Sequence, residues 1–179
     1  MSPPDISTET PARKTTPWWI WITIGRSPRR TLIRLSVLVL ITFVTFKFFV
    51  ALIHVEGVSM APTYRDGEIR FVNKLAYLRS KPQRGDVVAI KLAGGRVLLL
   101  KRIIGLPGDR VSIVRRAVFI NGQPLAEPYL KLKPIPWLVP EFTVKDHHYF
   151  VIGDNRSMNQ RDHEFGSYPE DRILGRVGR

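Results

Sequence analysis

The sequence of 179 residues contains no cysteine. Disulfide bonds and thiolate metal sites are therefore excluded. Acidic residues are also scarce, because 15 aspartates and glutamates stand against 28 lysines and arginines, which leaves a net charge of +13. Such a charge favours anionic partners, either nucleic acid or the anionic face of a lipid bilayer. We expect no nucleic acid partner, because the sequence contains neither a recognition-helix motif nor an aromatic platform.

Charged residues are nearly missing from residues 35–53, where Lys47 is the only one. At about 1.5 Å per residue, a helix of this length just crosses a hydrocarbon core of about 30 Å. We therefore predict a transmembrane anchor at 35–53, with Lys47 near enough to its C-terminal end to reach the interface. The alternatives are a buried helix of a soluble protein and a cleaved signal peptide. The flanking arginines and tryptophans argue against the first, and the length of the apolar run argues against the second.

The residues before this run set its predicted orientation. Residues 1–17 are rich in Pro, Ser and Thr, which predicts a disordered tail, and the segment Trp18–Trp21 then predicts an interfacial lead-in. Four arginines follow before residue 35, so the positive-inside rule places the N-terminus in the cytoplasm. We predict a single-pass protein of the cytoplasmic membrane with a cytoplasmic tail and interfacial segment (1–34), an anchor (35–53) and an extracytoplasmic domain (54–179). Anionic lipids of the bilayer are an expected partner.

No stretch after residue 54 shows a sustained helical period. Short runs of β-branched and aromatic residues occur instead, and Gly94-Gly95 and Asn121-Gly122 are typical of hairpin turns. Residues 127–145 contain four prolines and predict an extended loop. The fold class is therefore mainly β, an antiparallel sheet domain after one N-terminal transmembrane helix. The predicted strands are Ile69–Val72, Asp86–Leu92, Val97–Ile104, Val111–Val114, Ala117–Ile120 and Tyr149–Ile152.

Two residues are candidates for a catalytic pair. Ser59 lies in a Ser-Met-Ala-Pro-Thr segment, and Lys101 follows an apolar run. A serine hydroxyl is a weak nucleophile until a base takes its proton. Lysine serves as that base when burial lowers its pKa from about 10.4 to about 7–8. Two alternatives stay open at this point. The serine and lysine are ordinary turn and surface residues, or the base is a histidine from the set His54, His147, His148 and His163.

Five sequence blocks resemble, in order and spacing, the conserved boxes of bacterial type I signal peptidases. The resemblance covers residues 35–177, and its third block is the most specific. The blocks are Ser59-Met60-Ala61-Pro62-Thr63, Arg84-Gly85-Asp86-Val87-Val88, Lys101-Arg102-Ile103-Ile104-Gly105-Leu106-Pro107-Gly108-Asp109, Gly153-Asp154-Asn155-Arg156 and Gly175-Arg176.

The resemblance implies a membrane-bound serine endopeptidase with a Ser-Lys dyad and a β-rich extracytoplasmic fold. Such enzymes remove signal peptides from exported preproteins as these leave the Sec or Tat machinery, and they use no metal or organic cofactor. Ser59 would be the nucleophile and Lys101 the general base. The substrate would lie extended near Val55, Met60 and Leu100.

The resemblance also implies supporting roles, and this sequence departs from the family at some of those positions. Asp154 would pair with Arg102 beneath the dyad. Gly57 stands where some members have a serine that helps to bind the oxyanion, so the oxyanion hole would rest on backbone amides. Asn159 replaces the serine that normally bonds the lysine, and its amide oxygen would accept that hydrogen bond.

A further departure lies beside Asn159. Arg161 replaces the usual aspartate, and Asp162 lies one position later. Two other functions stay open, and the altered segment bears on the second of them. One is a specialised peptidase of the same clan that matures a single exported substrate. The other is a catalytically weak, membrane-tethered binding module.

Overall fold

The structure is a computed structural model that describes residues 28–92 and 98–178. The predictions for the tail, for Trp18–Trp21 and for the Gly94-Gly95 turn lie outside the described residues. The chain forms two compact units, Met1–Phe43 and Val44–Arg179.

The helix α1 (Pro28–Val44) continues as a π-helical turn, Thr45–Phe49. Together, Arg29–Phe49 form a helix of 21 residues with a mean hydropathy of 2.1, long and apolar enough to cross a membrane. The helix begins earlier than the predicted 35–53, because arginine is a good helix former. It also ends earlier, because Val50 begins strand β1 (Val50–His54), where sheet pairing overrides the apolar run.

The second unit is built on an antiparallel sheet of seven strands in the spatial order β1-β2-β11-β3-β4-β9-β10. β4 lies inside the sheet and pairs with β3 on one side and β9 on the other. The strands after β1 are β2 (Ile69–Asn73), β3 (Val87–Lys91), β4 (Leu98–Gly105), β9 (His148–Ile152), β10 (Gly166–Pro169) and β11 (Ile173–Val177).

A second antiparallel sheet has the order β7-β6-β5-β8. Its strands are β5 (Arg110–Arg115), β6 (Ala117–Ile120), β7 (Gln123–Pro124) and β8 (Trp137–Thr143). Asn121 and Gly122 turn the chain between β6 and β7 with φ angles of 52° and 80°, as their pattern predicts. The predicted fold class, an antiparallel β domain after one apolar helix, is confirmed.

The prediction that residues 127–145 form only an extended loop is wrong, because β8 lies within them. β8 is an edge strand, where a proline leaves no ladder hydrogen bond unmade. Pro140 also falls at the register shift between β8 and β5. The prolines that suggested a loop are therefore compatible with pairing at this edge.

The alternation of β4 sets the geometry of the site. Leu100 and Arg102 lie on one face of the strand, and Lys101 and Ile103 lie on the other. All four side chains are at least nine-tenths buried. Leu100 packs with Val55, Met60 and Tyr64 in one apolar cluster, while Ile103 belongs to another. A lysine in the middle of this strand is therefore buried by the fold itself.

Candidate active site

Ser59 and Lys101 meet in the folded domain. Ser59 lies in the turn after β1, and Lys101 lies in the middle of β4. The Lys101 Nζ donates a hydrogen bond of 2.6 Å to the Ser59 Oγ. The side chain of Lys101 is only 3% exposed. A nucleophile and a base in direct contact are the arrangement that activates a hydroxyl.

Burial gives Lys101 the properties of a base. Loss of hydration penalises the ammonium form, and this lowers the pKa of Lys101 to about 8. The negative charge of Glu164 acts in the opposite direction and raises that pKa, but its effect is smaller. A substantial fraction of Lys101 is therefore neutral at mildly alkaline pH.

The main chain of the turn is held from the far side by Asn155. The Asn155 N–H donates to the Ser59 carbonyl oxygen at 2.9 Å, and the Asn155 Nδ2 donates to the Val58 carbonyl oxygen at 2.9 Å. Gly153 lets the two segments approach, because a Cβ at this position would lie 2.2 Å from the Ser59 carbonyl oxygen. Gly153 and Asn155 therefore hold the main chain of Ser59 in place.

Arg102 and Asp154 form a buried ion pair next to the dyad. Two hydrogen bonds of 2.7 and 2.6 Å join the guanidinium to the carboxylate. Arg102 also donates to the Gly85 carbonyl oxygen at 2.6 Å, and its guanidinium lies 4.0 Å from the centre of the Tyr129 ring. The structure thus brings together the pair that the sequence predicts, with each member at most 4% exposed.

A second buried ion pair was missed by sequence reasoning. The Arg156 guanidinium donates to the Glu127 carboxylate at 2.5 Å, and its Nε donates to the Gly153 carbonyl oxygen at 3.0 Å. Tyr129 donates to the same carboxylate at 2.6 Å. The segment that begins at residue 127 is therefore anchored to the strand end that supports Ser59. Its proline content gave no sign of this contact.

Gly57 shapes the turn before Ser59. Its φ of 89° is in the left-handed region that favours glycine. Its N–H donates to the Asp66 Oδ1 at 2.8 Å. Because this donor is already used, Gly57 does not offer its own amide to an oxyanion.

Asn159 is not the hydrogen-bond partner of Lys101 that the sequence suggested. The residue is exposed, and its Nδ2 donates to the Asp162 Oδ2 at 3.3 Å. It precedes a 3₁₀ turn, Gln160–Asp162, and stays within that turn. Arg161 and Asp162 are exposed as well. In the described part of the chain, no hydrogen bond joins any of these residues to the dyad.

The four histidines differ in burial and in their contacts. His163 is 3% exposed, and its ring lies 5.0 Å from the ring of Trp137. Burial, followed by the charges of Lys101 and Arg156, lowers the pKa of His163 to about 4. His54 and His147 are largely exposed and face glutamates, and His148 contacts a main-chain carbonyl. None of the last three forms a hydrogen bond with Ser59 among the described residues.

A small cleft lies beside Ser59 and Lys101. It is lined by the residues that we expect to contact the substrate. Val55, Met60 and Leu100 are each at most 8% exposed. The cleft has a volume of about 30 Å³ and is also lined by Ser59 and Lys101. Over the ranges 28–92 and 98–178, no group of three or more His, Asp or Glu side chains is placed to hold a metal ion.

Comparisons with known proteins show which family the chain resembles. Residues 29–178 match the family model described as signal peptidase, peptidase S26. The chain is 34% identical to a signal peptidase IB of Staphylococcus aureus (strain Mu50) over 163 residues, which covers 82% of this chain and 85% of that protein. It is also 34% identical to a probable signal peptidase I-2 of Synechocystis over 130 residues, which covers 69% of this chain and 59% of that protein.

A crystal structure of a signal peptidase I from Enterococcus faecalis V583 is also similar. Its sequence identity is 28%, and its TM-score is 0.45. The match covers 55% of this chain and 98% of the crystallised chain.

Proposed function

The chain belongs to the peptidase S26 family of signal peptidases, and from that membership we propose that Ser59 and Lys101 form its catalytic dyad. The protein is a type I signal peptidase, a serine endopeptidase that cleaves signal peptides from preproteins. The observation that carries the proposed residue roles is the 2.6 Å hydrogen bond between the Lys101 Nζ and the Ser59 Oγ.

In the proposed reaction, neutral Lys101 takes the proton of the Ser59 hydroxyl. The Ser59 Oγ then attacks the carbonyl carbon of the scissile peptide bond. The resulting lysine ammonium gives its proton to the leaving amine, and an ester joins Ser59 to the signal peptide. Lys101 next takes a proton from a water molecule, whose oxygen attacks the carbonyl carbon of the ester. The ammonium then returns this proton to the Ser59 Oγ as the ester bond breaks, which releases the signal peptide and restores neutral Lys101 and the Ser59 hydroxyl. The buried position of Lys101 supports this cycle, because the lysine must start it uncharged.

The negative oxygen of the tetrahedral intermediate needs a hydrogen-bond donor. We assign this role to the Ser59 N–H, which makes no hydrogen bond with the described residues. The Gly57 N–H is bonded to Asp66, so Gly57 contributes through the shape of the turn. An oxyanion hole based on backbone amides fits a chain that has glycine at this position.

The substrate is proposed to lie extended beside Val55, Met60 and Leu100. The volume of the cleft, about 30 Å³, fits a small side chain and excludes large ones. This supports cleavage after residues such as alanine. The backbone N–H and C=O groups of the extended substrate would form hydrogen bonds with the edges of strands, as in β-augmentation.

A cleavage assay tests the proposed function. The full-length protein in detergent is expected to cut a preprotein with an Ala-x-Ala site, and N-terminal sequencing of the product should show cleavage directly after the second alanine. A preprotein with Phe in place of that alanine should be cut at least about 100-fold more slowly, because the cleft excludes a large side chain. Equal rates for the two substrates would contradict the proposed cleft.

A panel of several unrelated preproteins separates a general signal peptidase from a specialised one. A general enzyme processes most of them, and a specialised enzyme processes one. A protein that cuts none of them would support the alternative of a tethered binding module.

We also propose that the helix Arg29–Phe49 anchors the enzyme in the cytoplasmic membrane, with the N-terminus in the cytoplasm and the β domain outside. The four arginines at the N-terminal end of the helix and just before it support this orientation. Leu52 on β1 and Phe71 on β2 are paired and exposed, which supports contact with lipid, and the charge of +13 supports anionic lipid. This placement would let the enzyme meet preproteins as they leave the Sec or Tat machinery.

The absence of cysteine allows a direct test of orientation. Single-cysteine variants Ser7→Cys and Ser80→Cys are treated with a membrane-impermeant maleimide on spheroplasts. Ser80→Cys is expected to be labelled on intact spheroplasts, and Ser7→Cys only after lysis. Labelling of Ser7→Cys on intact spheroplasts, with Ser80→Cys protected, would show the opposite orientation.

A further inference from the structure

The segment that leads from β1 to Ser59 has an open edge. β1 is the first strand in the order of its sheet, so among the described residues only its β2 side is paired. This pairing continues past the strand, because the Val55 N–H donates to the Glu68 carbonyl oxygen at 2.8 Å and the Gly67 N–H donates to the Val55 carbonyl oxygen at 2.9 Å. Since successive residues of an extended chain direct their main-chain groups to opposite sides, the Glu56 N–H and C=O point to the open edge.

A second open edge lies at the same cleft. β4 pairs with β9 only from Arg102 onward, so the β9 side of 98–101 has no strand partner within residues 28–92 and 98–178. Val55, Glu56 and Leu100 all line the cleft. An extended substrate in this cleft therefore has main-chain partners on the Glu56 edge and on the β4 edge.

The alternation of side chains determines which substrate residue meets Glu56. Val55 is 3% exposed and packs in one apolar cluster with Met60 and Leu100, whereas its neighbours His54 and Glu56 are exposed. The side chains of His54 and Glu56 therefore lie on the opposite face from Val55. Residues of adjacent strands share the same two faces. When the two alanines of an Ala-x-Ala site face Val55, the middle residue x lies on the face of Glu56.

Glu56 carries a carboxylate that this chain leaves available. It is the only acidic residue among the described residues that line the cleft, and its side chain is 87% exposed. Its one ion-pair partner in the described ranges is His54, whose Nδ1 lies 3.9 Å from the Glu56 Oε1. A long, exposed pair of this kind is weak. The other titratable residue of the lining, Lys101, is 3% exposed and bonded to Ser59, so it does not neutralise Glu56.

We propose that Glu56 selects the middle residue of the cleavage site: its carboxylate attracts a lysine or arginine at x in Ala-x-Ala and repels an aspartate or glutamate. This inference rests on the proposed binding of an extended Ala-x-Ala substrate and adds a second specificity to it. The cleft selects for size at the two alanines, and Glu56 selects for charge between them. Glu56 acts on the binding of the substrate and takes no part in proton transfer.

Three preproteins that differ only at x test the proposal: Ala-Lys-Ala, Ala-Gln-Ala and Ala-Glu-Ala. The full-length protein in a neutral detergent is expected to give a kcat/KM about 5- to 10-fold higher for the lysine substrate than for the glutamate substrate, with the glutamine substrate between them. Salt at about 0.5 M should lower this ratio to less than about 2, because the charges are exposed. The ratio compares substrates on one protein, so differences in overall activity cancel.

Glu56→Gln should bring the lysine-to-glutamate ratio to about 1, and Glu56→Lys should invert it. Glu141→Gln is the matched control, because it makes the same change at an exposed glutamate of the second sheet, and it should keep the wild-type ratio. A wild-type ratio of about 1, or a wild-type ratio that persists in Glu56→Gln, would overturn the proposal.

The same measurements separate this inference from the function on which it rests. If the wild-type protein cuts all three substrates at equal rates, the proposed cleavage at Ala-x-Ala stands and only the role of Glu56 fails. If it cuts none of them, the proposed Ala-x-Ala specificity fails and the role of Glu56 fails with it.

Discussion

Ser59→Ala and Lys101→Ala are each expected to reduce kcat/KM for an Ala-x-Ala preprotein by at least about 10⁴-fold. Ser59→Ala removes the atom that forms the ester, and Lys101→Ala removes the group that takes its proton. The two residues act as one unit, because a single hydrogen bond joins them. The double variant is therefore expected to be no less active than either single variant.

Ser167→Ala and Lys145→Ala are matched controls, because both side chains are exposed and lie outside the cleft. Both should cleave at the wild-type rate. Additive losses in the double variant would show that Ser59 and Lys101 contribute independently, which would contradict a dyad.

Asp154→Ala is expected to lower the free energy of unfolding by about 3–5 kcal/mol, because it leaves the Arg102 guanidinium buried without its partner. The pair is almost fully buried, at 4% and 1% exposure. Glu141→Ala is the control, because its ion pair with Arg110 is exposed and should contribute only about 0–1 kcal/mol. The measurement is urea unfolding of the full-length protein in detergent, followed by the fluorescence of tryptophan, since Trp137 is buried.

A charge-free replacement sharpens this comparison. The double variant Arg102→Met, Asp154→Leu removes both charges and should recover most of the stability lost in Asp154→Ala. Equal unfolding midpoints for Asp154→Ala and Glu141→Ala would show that the buried Arg102–Asp154 pair stabilises the domain no more than the exposed pair does.

Much of the fold could be predicted from the sequence, because strands of alternating pattern and a glycine-containing turn leave local signals. β6 matches its predicted bounds, and β2, β3, β5 and β9 differ only at their ends. β1 and β8 were not predicted from the sequence, and each has a physical reason. β1 continues an apolar run that is also suited to a helix, and β8 contains a proline that is acceptable only because the strand is at an edge.

The residues of the site also fall into those that the sequence indicated and those that it did not. The five blocks that resemble the family indicated Ser59, Lys101 and the Arg102–Asp154 pair, because these residues belong to short motifs. Glu127 and Asn155 could not be assigned in this way, because their contacts depend on which distant segment folds against them. Asn159 was assigned by its place in a motif, but the 3₁₀ turn that follows keeps its amide with Asp162.

The pH dependence of kcat/KM tests the central claim most directly, because it reports the protonation state of the base in the free enzyme. With Lys101 as the base, cleavage by the wild-type protein is expected to rise with pH through about 8, the value to which burial lowers the pKa of Lys101. The rate rises with pH because only the neutral amine of Lys101, and not its ammonium form, accepts the Ser59 proton. A profile that is flat from about pH 6 to 10, or that rises with a midpoint near the usual histidine value of about 6.5, would contradict a lysine base.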